Sequence, residues 1–160
     1  MASHKTVMVD GTTRANEDGV ALQLLKTPKG AATTLTAEDH DTVCEFNTAA
    51  GYTYTLPAVK RGLKFRFVVR VTITSSNARV ACATGDFFLG ELAQATDGTY
   101  VTATQAANGT THLAWEGNGS TTSGIKGDWF DIVGLNDTQW LVTAGYTTAT
   151  GTEATFWKTS

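Results

Sequence analysis

Glu38, Asp39, His40 and Asp41 set three carboxylates around an imidazole, the best candidate in this chain for proton transfer or metal binding. Consecutive residues in a turn point in different directions, however, whereas metal ligands must converge on one centre. No second His-rich element answers the cluster, and His112 is the only other histidine beyond the first few residues. The reading is a solvated polar turn whose aspartate caps its own backbone. Nucleophilic catalysis wants Ser or Cys beside a His and an orienting acid. No G-x-S-x-G occurs, and Cys44 and Cys82 lie on runs where they share a face with Phe46 and Val80. They read as buried free thiols, with a disulfide between adjacent strands as the alternative.

The stretch Gly119-Ser-Thr-Thr-Ser-Gly124-Ile125-Lys126 nearly imitates a phosphate-binding loop. Ile125 stands where the lysine belongs, Gly127 takes the hydroxyl position, and no helix follows. Glu116 with Asp128 could be nominated as a glycosidase pair, but fifteen acidic residues supply such pairs by chance. These candidates add up to a non-enzymatic protein that needs no cofactor and no metal. Trp115, Trp129, Trp140 and Trp157 with Tyr52, Tyr54 and Tyr146 could line a sugar platform. Most alternate with polar neighbours, so core or subunit interface is the favoured reading. The pair Phe156-Trp157, close to the C-terminus, suggests docking on a neighbour. Lys60, Arg61, Lys64, Arg66 and Arg70 form a cationic cluster that either meets an acidic patch on a partner or solubilises a strand. N-x-Ser/Thr sequons at Asn108, Asn118 and Asn136 arise by chance in a threonine-rich chain and stay bare in a protein assembled in the cytoplasm.

The elements that must position these residues are strands. From Leu63 to Thr74 the odd positions are apolar (Leu63, Phe65, Phe67, Val69, Val71, Ile73) and the even ones mostly cationic or hydroxylic. That two-residue period predicts one long half-buried strand spanning roughly 40 Å. Further strands are expected near 42–47, 51–56, 78–83, 99–104, 111–116, 128–133, 139–144 and 153–157, with Glu91–Ala95 as a single helical turn. Asp97–Gly98, Asn108–Gly109, Asn118–Gly119 and Asn136–Asp137 supply hairpin turn signals. The 160 residues fit one domain. The predicted class is all-β, a β-sandwich or jelly-roll-like barrel over 33–160 with an extended N-terminal arm over 1–32. The arm holds short apolar patches, Val7 with Val9 and Leu22 with Leu24 and Leu25, ahead of a break at Pro28 and Gly30. These are read as contacts to a partner, with an ordinary first hairpin as the alternative.

A net charge of -3 argues against a nucleic-acid or anionic-membrane binder. No apolar run reaches the ~20 residues that span a bilayer, and the first residues lack the hydrophobic segment of an export signal. The low charged fraction of 17% points to a surface that faces other subunits, with a homotrimer as the expected assembly.

The order LTAED, a short strand, NTAAGYTYTLP, then GLKFRFVV resembles a family of small tailed-bacteriophage virion proteins, the capsid decoration (cement) and related structural proteins. The likeness resumes in NGSTTSGIKGDWFDIVGLNDTQWLVTAG and GTEAT, and the two blocks cover somewhat more than half the chain. Residues Met1–Thr34 and most of Thr84–Glu116 fall outside it. At His40 the family carries a variable polar turn. The resemblance implies a decoration protein on the capsid exterior, assembled in the host cytoplasm and bound to the major capsid protein. Its contacts are expected from Val7, Val9, Leu22, Leu24, Leu25, Lys64, Arg66, Arg70, Phe156 and Trp157. The alternative is a fibre or tail-tip domain that binds host glycan.

Overall fold

The computed structural model describes residues 7–9, 13–15, 21–22, 32–97 and 101–160. Three short strands, β1 (Val7–Val9), β2 (Thr13–Ala15) and β3 (Ala21–Leu22), pair antiparallel with one another in a sheet of their own. There follow β4 (Thr33–Thr34), a 3-10 turn at Ala37–Asp39, β5 (Thr42–Phe46), β6 (Thr53–Thr55) and β7 (Lys64–Val69). Next come β8 (Ala78–Ala81), β9 (Phe87–Thr96), β10 (Val101–Asn108) and β11 (Ala114–Gly117). The chain closes with β12 (Trp129–Gly134), β13 (Gln139–Ala149) and β14 (Trp157–Lys158).

Two body sheets, ordered β10-β9-β13-β12-β7-β5 and β14-β11-β8-β6-β4, pack face to face as a β-sandwich. Neither closes into a barrel. Jelly rolls are antiparallel, whereas here β13–β9, β5–β7, β6–β8 and β4–β6 pair parallel. Parallel partners need crossover connections, so successive strands switch sheets from β4 to β9 and again from β10 to β12, while β9–β10 and β12–β13 stay in one sheet as antiparallel pairs. Asn108–Gly109 and Asn118–Gly119 accordingly join strands of opposite sheets instead of turning hairpins, although Gly109 (φ 74°) and Gly119 (φ 73°) take the left-handed backbone expected of them. At Gly119 a Cβ would lie 1.7 Å from the Ile73 carbonyl oxygen, so no other residue fits that approach.

The core is aromatic. Phe46 touches Tyr54 and Trp115 at centroid distances of 5.2 and 5.9 Å, and Phe130 touches Trp115 and Phe67 at 5.0 and 5.2 Å. Rings from both sheets thus interlock across the sandwich, each burying a large apolar surface.

Two expected elements are corrected. The long strand ends at Val69, because the N–H groups of Arg70 and Val71 both turn to the Phe46 carbonyl. Ile73 still enters the core, but Val71, on the same side of the sequence pattern, is 39% exposed. Glu91–Ala95 is not a helical turn but the middle of the ten-residue strand β9. Its Leu, Glu, Ala and Gln favour helix locally. Pairing with β10 on one side and β13 on the other overrides that preference.

Candidate functional site

The acidic turn is scaffolding. Asp39 Oδ2 accepts the Thr36 N–H at 2.8 Å, the self-capping that the sequence suggested. His40 Nδ1 accepts the Lys64 N–H at 3.1 Å, and Asp41 N–H donates to the Lys64 carbonyl at 2.8 Å. The turn is therefore stitched to the start of β7. His112 acts alike, its Nδ1 accepting the Asn108 N–H at 3.1 Å. Each imidazole accepts a backbone N–H, which ties the acidic turn to β7 and the Thr110–His112 loop back to the end of β10. Among the described residues no group of three or more His, Cys, Asp or Glu could hold a metal ion.

The loop that imitates a phosphate cradle already contains its anion. Asp128 is buried, and its Oδ2 accepts the N–H groups of Gly124 (2.8 Å) and Ile125 (3.1 Å) while Oδ1 accepts that of Thr148 (2.9 Å). Burial pushes its carboxyl up to about 6, against the pull of those donors. The supposed partner Glu116 belongs to a different surface, paired with Arg79 at 3.1 Å and bonded to Asn77. The sequons acquire a mechanical reason too. Asn108, Asn118 and Asn136 each accept, through Oδ1, the N–H two residues on, at 3.0, 2.8 and 2.9 Å. Each is an Asx turn, a geometry for which Asn is preferred.

The expected docking residues separate into three groups. Phe156 and Trp157 are not a docking tail: they are 0% and 3% exposed, because β14 pairs with β11 and inserts both rings into the domain's own core. Trp115, Trp140, Tyr52 and Tyr54 are equally buried, so no sugar platform can be built from them. Val7, Val9 and Leu22 lie on β1 and β3, and Leu24 and Leu25 fall outside the described residues.

Lys64, Arg66 and Arg70 do share the outer face of the six-stranded sheet with the residues that register places beside them. Arg66 stands opposite Asp131 on β12 and grips it at both ends, Nε and Nη2 each 2.6 Å from a carboxylate oxygen. Its guanidinium lies 5.0 Å over the Trp129 ring, a cation–π contact that covers one face of the indole. The Asp131 bond raises the Arg66 pKa further above its ordinary value. Arg70 is neutralised by Glu45 at 2.9 Å. Lys60, Arg61 and Lys64 are exposed and make no ion pair among the described residues. Half-buried Val43, Val68, Val133 and Leu141 fill the spaces between the charges. Asp41, Lys64, Arg66, Asp131, Val133 and Thr143 line a concavity of about 420 Å³ on the same face.

Sequence reasoning named the arginines but missed what immobilises them. Trp129 and Asp131 alternate on β12, outward beside inward Phe130, and that alternation was the available signal. The assembled face presents paired charge with half-buried aliphatics between the charges. Among the described residues no helix is long and apolar enough to cross a membrane. Protein-family models, curated proteins and solved structures contain no match to this chain.

Proposed function

We propose that this chain is a non-enzymatic virion structural protein, a capsid decoration protein that adheres to the outer surface of the major capsid protein lattice and stabilises the head. The observation that carries the reading is the outer face of the six-stranded sheet. There Asp131 and Trp129 hold the Arg66 guanidinium in place, with Lys64 two residues before it on the same strand, exposed and without an ion pair among the described residues; Lys60 and Arg61 are exposed in the segment that leads into that strand. Arg and Trp are the side chains that most often anchor protein interfaces, and a pre-ordered arginine loses little freedom on binding. The resemblance of the Leu35–Thr74 and Asn118–Gly145 blocks to tailed-phage decoration proteins supports the same reading and supplies the partner class. Attachment through several copies at once would turn modest contacts into firm holding, since later contacts form at high effective concentration. The fibre alternative is disfavoured by the burial of the aromatics that would hold a glycan and by Arg66 lying over Trp129.

Co-sedimentation with undecorated heads tests the proposal. The native chain should pellet with heads, and a K60E/R61E/K64E variant with unchanged melting should bind at least ten-fold more weakly. Absence of head binding by the native chain, or equal binding by the variant, overturns it.

A further inference from the structure

Within the two body sheets four strands lie at an edge, and an open edge is a template for another strand unless it is blunted. Three are blunted. β4 and β14 are only two residues long. On β5 the Glu45 carbonyl receives two tyrosine hydroxyls from β6 and the residue before it, Tyr52 at 2.5 Å and Tyr54 at 3.1 Å. β5 also carries the charge of Glu45.

β10 differs. It is eight residues long, VTATQAAN, with no charge and no proline. The N–H of Gly109 donates to the Phe88 carbonyl, which sets the alternation of the antiparallel ladder with β9. Ala107, Gln105 and Ala103 then direct their backbone groups to β9, while Asn108, Ala106 and Thr104 turn theirs to the open side. Asn108 N–H is taken by His112. Thr104 and Ala106 keep both groups unpaired among the described residues. Their side chains are small and exposed, so another backbone can come close.

The strand is also held firmly. The Gln105 side chain donates to Gln94 Oε1 and to the Ala154 carbonyl, and accepts the Phe156 N–H. Its carbonyl, on the β9 side, also receives the Trp157 indole N–H at 3.0 Å. A fixed, uncharged edge with two adjacent open positions is its own complement across a two-fold axis, because an antiparallel pair reads the same from both chains.

We propose that β10 is the self-association surface of this protein: a second copy adds its own β10 antiparallel, with Thr104 opposite the partner's Ala106. That register forms on the order of four interchain hydrogen bonds and joins two six-stranded sheets into one. Such pairing is two-fold, so the pair, in place of the trimer expected from composition, is the unit of assembly.

Light scattering from 1 to about 200 µM tests the pairing. The native chain should pass from monomer to dimer with concentration. Ala106→Pro removes an outward N–H and breaks no bond to β9, so it should stay monomeric with unchanged melting, as edge proline is tolerated in strands. Thr104→Lys retains every backbone group and should weaken the dimer at least ten-fold, which decides the matter if the proline variant fails to fold. The T104C/A106C variant should crosslink to a dimer on mild oxidation. A native chain that remains monomeric throughout, forms a trimer, or dimerises equally well with Thr104→Lys overturns the proposal.

Discussion

Replacing Asp131 with alanine separates what the Arg66 stack does for the fold from what it does for adhesion. The side chains of Arg66 and Asp131 are 43% and 23% exposed, so water screens their attraction, and exposed pairs contribute up to about 1 kcal/mol to stability. Two-ended geometry puts this pair at the upper end of that range. At this chain length about 1 kcal/mol corresponds to a Tm lower by roughly 2–4 °C. The effect on docking is larger for a physical reason. Freed from Asp131, the guanidinium regains most of the ~2 kcal/mol of rotamer freedom that an arginine carries. A partner that needs Arg66 in place must then order it, and losing about 1–2 kcal/mol weakens a single contact by roughly 5- to 30-fold. Melting followed by circular dichroism, beside co-sedimentation with undecorated heads at fixed salt, reads both numbers. A fall in Tm above about 10 °C would mean the pair supports the core. Unaltered head binding would remove this face from the adhesive surface.

Phe156→Ala should lower stability by about 3–5 kcal/mol, the range for emptying a buried aromatic site; unchanged melting would return that ring to a docking role. Asp128 holds its proton more tightly in the folded chain, at about 6 against 3.8. Between those values the native state binds more protons than the unfolded one, so this group's contribution to stability is full below about pH 4, declines as pH rises to about 6, and is flat beyond. Melts of the native chain and of Asp128→Asn across pH 4–7 should diverge in that window, the native chain losing ground as pH rises; the opposite slope would mean the three amides outweigh burial. Cys44 and Cys82 form no disulfide, Cys44 is sealed in the core, and burial raises the Cys82 thiol pKa. Thiol titration should therefore be slow on native protein and reach two thiols on unfolding without reductant; fewer than two would contradict the absence of a disulfide.

Strands whose side chains alternate without interruption were legible before any coordinates. β5, β7 and β12 each place Cys44 and Phe46, Phe65 and Phe67, or Phe130 and Ile132 inward at every second residue. β9 was not legible. Gly90, with φ 116° and a would-be Cβ 2.9 Å from the Val142 carbonyl oxygen, stands where the pattern wants an inward apolar residue. Partner choice was hidden as well, since periodicity reports which face a residue occupies and says nothing of parallel neighbours far along the chain. That is why Phe156-Trp157 read as a loose tail: nothing local signals that two residues of β14 will pair with Ala114 and Trp115. The Arg66 site was half visible for the same reason. Its cation lies in a conspicuous strand, but its carboxylate sits 65 residues away and meets it only through the β7–β12 register.

The two surfaces proposed for this chain obey different physics, and ionic strength distinguishes them. Adhesion through Lys60, Arg61 and Lys64 relies on exposed charges, whose reach shrinks from about 10 Å at 0.1 M salt to about 3 Å at 1 M. Pairing along β10 relies on backbone hydrogen bonds between uncharged residues, with Glu91 on the neighbouring strand as the nearest formal charge in the register. Raising salt should therefore strip the protein from heads while leaving it dimeric. A dimer that dissolves with salt in step with release from heads would place charge at both contacts, and β10 carries none to supply it.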